Sequence, residues 1–131
     1  MFLVFGSAIL IILGVVHAVL VLATNVFEPK DHDLLSVMKG SSPQITKSTN
    51  LWRAGVGFHL SHSLGLVVTG FLAWYIGSGL LKDSESLTIF HVFVVCVTFT
   101  YLLLSIRYWF ILPTIGFAIS TLCFLGWCIR L

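Results

Sequence analysis

Four of the five histidines in this 131-residue chain fall in apolar surroundings. His59 and His62 lie three residues apart in Phe58-His59-Leu60-Ser61-His62-Ser63-Leu64-Gly65, His17 sits inside a second apolar run, and His91 opens a third. Imidazole ligates transition metals and haem iron, and it exchanges protons near neutral pH. An ionisable ring inside a bilayer is costly to desolvate, so it marks a functional site by default. The apolar runs carry no Asp or Glu. That weighs against a carboxylate-bridged metal centre or a cation path, which need fixed negative charge.

Helical spacing groups these rings. At about 100° and 1.5 Å per residue, positions 59 and 62 share one face, and the stripe extends to Gly55, Leu66 and Thr69. His17 shares a face with Gly6, Val21 and Thr24, and His91 shares one with Thr88, Thr98 and Ser105. Small and hydroxyl residues on the histidine side let helices approach and hydrogen-bond, so these faces should point inward. Counted from the long-loop ends of their helices, His17, His59 and His62 come out roughly 12–16 Å deep, near the middle of a ~30 Å core. His91 enters from the opposite side and falls several Å away. The first three should therefore converge, leaving His91 as a separate hydrogen-bonding residue or a second ligand position. The convergent set admits several chemistries: one metal ion, haem b between His17 and either His59 or His62, a chlorin-type pigment on a single histidine, or hydrogen bonds between helices.

The elements that position these rings follow from composition. The chain is 58% hydrophobic and 9% charged, with a mean hydropathy of +1.06. A soluble domain carries about 25% charged residues, so the bilayer is the solvent here. A net charge of +2 gives no reason to expect a nucleic-acid partner. Cys96, Cys123 and Cys128 form an odd set without a C-x-x-C spacing and read as small apolar fillers. Four runs, at about 2–26, 51–80, 87–106 and 113–129, are long enough to span. The first lacks a basic start and is read as a retained span. Short links join runs two to three and three to four. The expected fold is all-α: a single domain, 1–131, forming an integral membrane up-down four-helix bundle. Pro113 suits a first helical turn. Ser84 or Ser86, with Asp83 and Glu85, suits the start of the third span.

The loop at 27–50 is the exception. Asp33 reads as an N-cap and Gly40 as a stop, enclosing a short interfacial helix with Leu34, Leu35 and Met38 on its apolar face. Ser48, Thr49 and Asn50 offer caps for the second span. Lys30, Lys39, Lys47, Arg53 and Arg107 fall on the loop side, and Lys82 and Arg130 on the other. This excess places the loop in the cytoplasm and both termini outside, in a multi-pass protein of the cell (inner) membrane. Arg53 and Arg107, both at loop-side helix ends, form a candidate headgroup or anion site. Trp52, Tyr108 and Trp109 read as an aromatic belt.

The stretch Leu51-Trp52-Arg53-Ala54-Gly55-Val56-Gly57-Phe58-His59-Leu60-Ser61-His62-Ser63-Leu64-Gly65 resembles a segment of small uncharacterised bacterial four-span membrane proteins. Their signature is similar to Gly-Phe-Asn-x-Ser-His-Ser-Leu-Gly. The resemblance centres on His62, has Asn where this chain has His59, and implies no activity. Without a recognisable catalytic set, the chain reads first as an accessory or assembly subunit of a larger membrane complex or homo-oligomer, surrounded by membrane lipids. The alternatives are a haem- or pigment-binding subunit using the intramembrane histidines, and a small enzyme acting on a lipid or isoprenoid, with His62 as acid–base and Arg53 on the headgroup.

Overall fold

The computed structural model describes residues 1–80 and 84–129. Among them are five α-helices: α1 (Phe2–Ala23), α2 (His32–Gly40), α3 (Leu51–Tyr75), α4 (Ser84–Tyr108) and α5 (Ile111–Cys128). All but α2 are long and apolar enough to cross a membrane. In hydrocarbon a helix satisfies its backbone groups internally, so continuous apolar runs without breakers take this form. The fold is an up-down four-helix bundle of a small polytopic membrane protein.

The helix ends follow local chemistry. Asn50 caps α3, its side-chain oxygen accepting from the Arg53 N–H at 2.8 Å. A wide π-type turn, Ile76–Leu80, closes the same helix, with Gly79 at φ 121°, where a side chain would be strained. Pro113 lies in the first turn of α5, where N–H groups have no intrahelical partner. The α2 helix forms as expected, but its caps shift. Asp31, not Asp33, is the N-cap, accepting from the Asp33 N–H at 2.9 Å. Asp33 falls instead in the first turn, where its charge favours the helix dipole. Gly40 is the last helical residue rather than a left-handed stop; the Ser41 N–H closes the helix onto the Val37 carbonyl at 2.9 Å. Leu35 is buried while Leu34 and Val37 are exposed. The contribution of Asp83 to the start of α4, and the votes of Lys82 and Arg130, concern positions outside the described residues.

Packing runs around a ring of α1, α3, α4 and α5. The helix α1 lies close against α3 and α5, and α4 against α5. A Cβ added at Gly14 would fall 2.7 Å from the Ser63 carbonyl oxygen, and one at Gly70 would fall 2.8 Å from that of Ser7. The backbones of α1 and α3 therefore touch at both glycines. On the other side of α1, the Ser120 hydroxyl donates to the Gly6 carbonyl at 3.1 Å. The α3–α4 side is bridged by side chains, with the His62 and Tyr101 rings 5.2 Å apart.

The interior mixes Leu10, Leu66, Phe117 and Phe124 with buried Ser7, Ser63, His91, Thr98, Ser105 and Ser120. Outward faces carry Val, Ile, Leu and Phe. This is the pattern lipid demands: packing and hydrogen bonds inside, hydrocarbon outside. Cys96 is exposed rather than an interior filler.

The four helices are staggered along the bundle axis, and this shapes the site. Gly116 of α5 packs on Leu13 of α1, so the start of α5 is level with His17. Beyond Gly14, α1 has no fully buried residue, and α3 has none before Ser63. Both helices project past the α4–α5 turn. The overhang of α1, from His17 to Ala23, is about 9 Å. The α2 helix packs beside this extension of α3, where Lys39 lies over the Trp52 ring and the Leu51 N–H donates to the Ser41 carbonyl at 2.9 Å.

Candidate histidine chamber

The overhang leaves a chamber of about 640 Å³ where the four-helix layer ends. His17 enters from α1, and His59 and His62 enter from α3. Trp109 and Phe110 of the α4–α5 turn, with Pro113 and Phe117 of α5, form the facing wall, and Phe27 closes over the top from the loop. Among the described residues, no carboxylate, lysine or arginine lines it.

The expected convergence holds in geometry. His17 Nε2 and His59 Nδ1 are 3.1 Å apart and share a hydrogen bond. The ring centroids of His17 and His62 are 5.6 Å apart, nearly perpendicular. His62 packs edge-on against Trp109 at 4.6 Å and Tyr101 at 5.2 Å. Phe27 lies 4.8 Å from both His17 and His59. The i, i+3 spacing on α3 and the glycine contact one turn below His17 together bring these rings to one point.

Depth differs from the sequence count. That count runs from the loop-side ends of α1 and α3, whereas the α4–α5 turn lies level with the histidines. The rings therefore stand at the loop-side rim of the four-helix layer, because α1 and α3 are shifted toward the loop relative to α4 and α5. His91 is at the opposite end, as expected: it is 1% exposed, packs on Trp127, and its Nδ1–H donates to the Leu87 carbonyl. Thr98 and Ser105 line the same buried seam of α4. Arg53 and Arg107 are both exposed at the loop end and do not line the chamber.

Several chamber residues escaped the sequence reading. Phe27 follows no helical period. Trp109, beside Arg107 and Tyr108, has the signature of a membrane-interface aromatic, yet it turns inward onto His62. Phe117, stacked on Tyr101 at 5.3 Å, lines the inner end of the chamber.

This geometry sorts the chemistry. Among the described residues, no three His, Cys, Asp or Glu side chains are arranged to hold a metal ion. His17 and His59 direct ring nitrogens at each other instead. The chamber volume falls within the ~300–1,000 Å³ range of small-molecule sites. The lining suits a neutral, mainly apolar molecule with a hydrogen-bonding head.

No protein-family model, curated protein or solved structure matches this chain.

Proposed function

We propose that this membrane protein binds a neutral, membrane-soluble ligand in the histidine chamber. The observation carrying this reading is the convergence of His17, His59 and His62 in an apolar, uncharged cavity of about 640 Å³. Ligand sites are typically concave and mostly apolar, with a few convergent polar groups. The uncharged lining and the mutual His17–His59 hydrogen bond favour the lipid or isoprenoid class over haem b held between those two rings or a chlorin-type pigment, and we assign binding rather than catalysis to His62. Arg53 and Arg107 act outside the chamber, toward lipid headgroups.

The test is to purify the protein in lipid nanodiscs and analyse its organic extract by mass spectrometry, alongside an absorption spectrum. A stoichiometric neutral lipid that is lost in His62→Ala but kept in His91→Ala supports the reading. A haem or chlorin spectrum, or a chamber occupied only by bulk phospholipid, overturns it.

An accessory role in a larger complex draws on a separate observation. The α4–α5 turn exposes Ile111 between Phe110 and Leu112, two exposed residues that also border the chamber. Chain reversals are usually polar, so this one needs cover from lipid or from a neighbouring subunit. Native electrophoresis of gently solubilised membranes tests this: a band heavier than the 14.5 kDa chain with its detergent would indicate a complex or homo-oligomer. In the inner membrane, the basic loop side would face the cytoplasm.

A further inference from the structure

We propose that the head recognised in the chamber is the ring oxygen of a quinone, in both its oxidised and its reduced form. This inference rests on the ligand-binding reading above and deepens it.

The first observation is the absence of charge. Phospholipid headgroups, fatty acids and amines would bring a charge into an apolar chamber whose lining, among the described residues, has no charged partner for it. A neutral head remains.

The second is the spacing of the rings. The centroids of His17 and His62 are 5.6 Å apart and the rings nearly perpendicular, so the two rings touch and a single ligand head in the chamber meets both.

The third is the hydrogen bond between His17 and His59. Two neutral imidazoles carry two N–H protons, and one lies in the shared bond. If His17 donates it, His59 Nε2 keeps an outward N–H and His17 Nδ1 is an outward acceptor. If His59 donates it, those outward roles reverse. The pair therefore always presents one donor and one acceptor, and a shift of tautomer exchanges them without creating charge. His62, with no protein hydrogen bond among the described residues, also offers one donor and one acceptor. A quinone oxygen only accepts, whereas a quinol hydroxyl also donates. The pair can serve both forms. The walls on either side of the rings, Phe27 and Trp109, are flat aromatic surfaces that suit a planar ring better than a flexible chain.

The experiment uses the full chain in nanodiscs titrated with a decyl-substituted benzoquinone, read by quenching of tryptophan fluorescence. Trp109→Phe identifies the quenched residue among Trp52, Trp74, Trp109 and Trp127. Decylbenzene, which has the same chain and a ring without oxygen, is the competitor. We expect saturable quenching that Trp109→Phe removes, and about tenfold weaker binding in His62→Ala. His62→Gln, which keeps a donor and an acceptor, should recover most of that loss. His91→Ala should leave binding unchanged, and decylbenzene should compete at least tenfold less well than the reduced quinol. Equal competition by decylbenzene, with His62→Ala unaffected, overturns the quinone assignment and leaves the apolar-ligand reading standing. Saturable binding of neither compound overturns both. Matching circular dichroism of the variants separates lost binding from lost fold.

Discussion

Replacing both Gly14 and Gly70 by alanine should pry α1 from α3 and take the histidine pair apart. The Cβ at position 14 would lie 2.7 Å from the Ser63 carbonyl oxygen, and ordinary contact begins near 3.4 Å. The helices must then part by the difference, about 0.7 Å, because backbone oxygen cannot swing aside. Gly70 makes the same demand at Ser7, further along the seam, so the helices cannot relieve one clash by tilting. Each overpacked site costs about 1–3 kcal/mol, and each alanine returns about 1 kcal/mol of helix propensity. The net destabilisation is about 2 kcal/mol for the double variant, or roughly 30-fold in the unfolding equilibrium. The same displacement stretches the 3.1 Å bond between His17 and His59, one turn away, past hydrogen-bonding range. Reversible unfolding in mixed SDS micelles measures the first effect, and the titration of ligand into the chamber measures the second. Gly57→Ala is the control: nothing lies within 4 Å of its added Cβ, so it should be neutral or stabilising by up to ~1 kcal/mol. If the double variant behaves like Gly57→Ala, the close α1–α3 contact is wrong, and so is the histidine geometry that depends on it.

Other expectations follow from single contacts. Asn50→Ala removes the cap of α3 and should cost ~1 kcal/mol, seen in the same unfolding assay and rescued by Asn50→Asp. Ser120→Ala deletes the hydrogen bond to Gly6 on the neighbouring helix; membrane bonds of this kind average about 0.6 kcal/mol, so a loss beyond ~1.7 kcal/mol would contradict the packing described. Phe27→Ala uncovers His17 and His59 and should speed ligand release without changing helix content, as followed by stopped-flow fluorescence and circular dichroism. A cysteine at exposed Ser48 should resist membrane-impermeant maleimide added outside intact cells if the loop is cytoplasmic, and rapid labelling would reverse the orientation.

The sequence carries its membrane character and helix count openly, because a spanning helix is a local object. Its length, apolar composition and backbone satisfaction are all set by one continuous segment. The Asn50 cap and the short α2 helix are likewise local, and the two-residue shift of the α2 cap from Asp33 to Asp31 reflects two aspartates within reach of the same turn. The inward direction of His91, Thr98 and Ser105 followed from helical period, whereas Thr88, on the same expected face but in the exposed first turns of α4, does not point inward. Convergence of His17 with His59 and His62 was legible because α1 and α3 are antiparallel, so counting from their shared loop compares like with like.

What only the tertiary structure decided was where that meeting point lies and what encloses it. The starting level of α5 is fixed by Gly116 against Leu13, a contact between segments a hundred residues apart. No local pattern encodes that register. It sets the α4–α5 turn level with the histidines, turns Trp109 from a membrane-interface aromatic into a chamber wall, and leaves α1 and α3 projecting beyond a cavity that Phe27 covers. Residue spacing can place three imidazoles on two helix faces. The size, walls and uncharged lining of the space they share arise from how staggered helices end against one another.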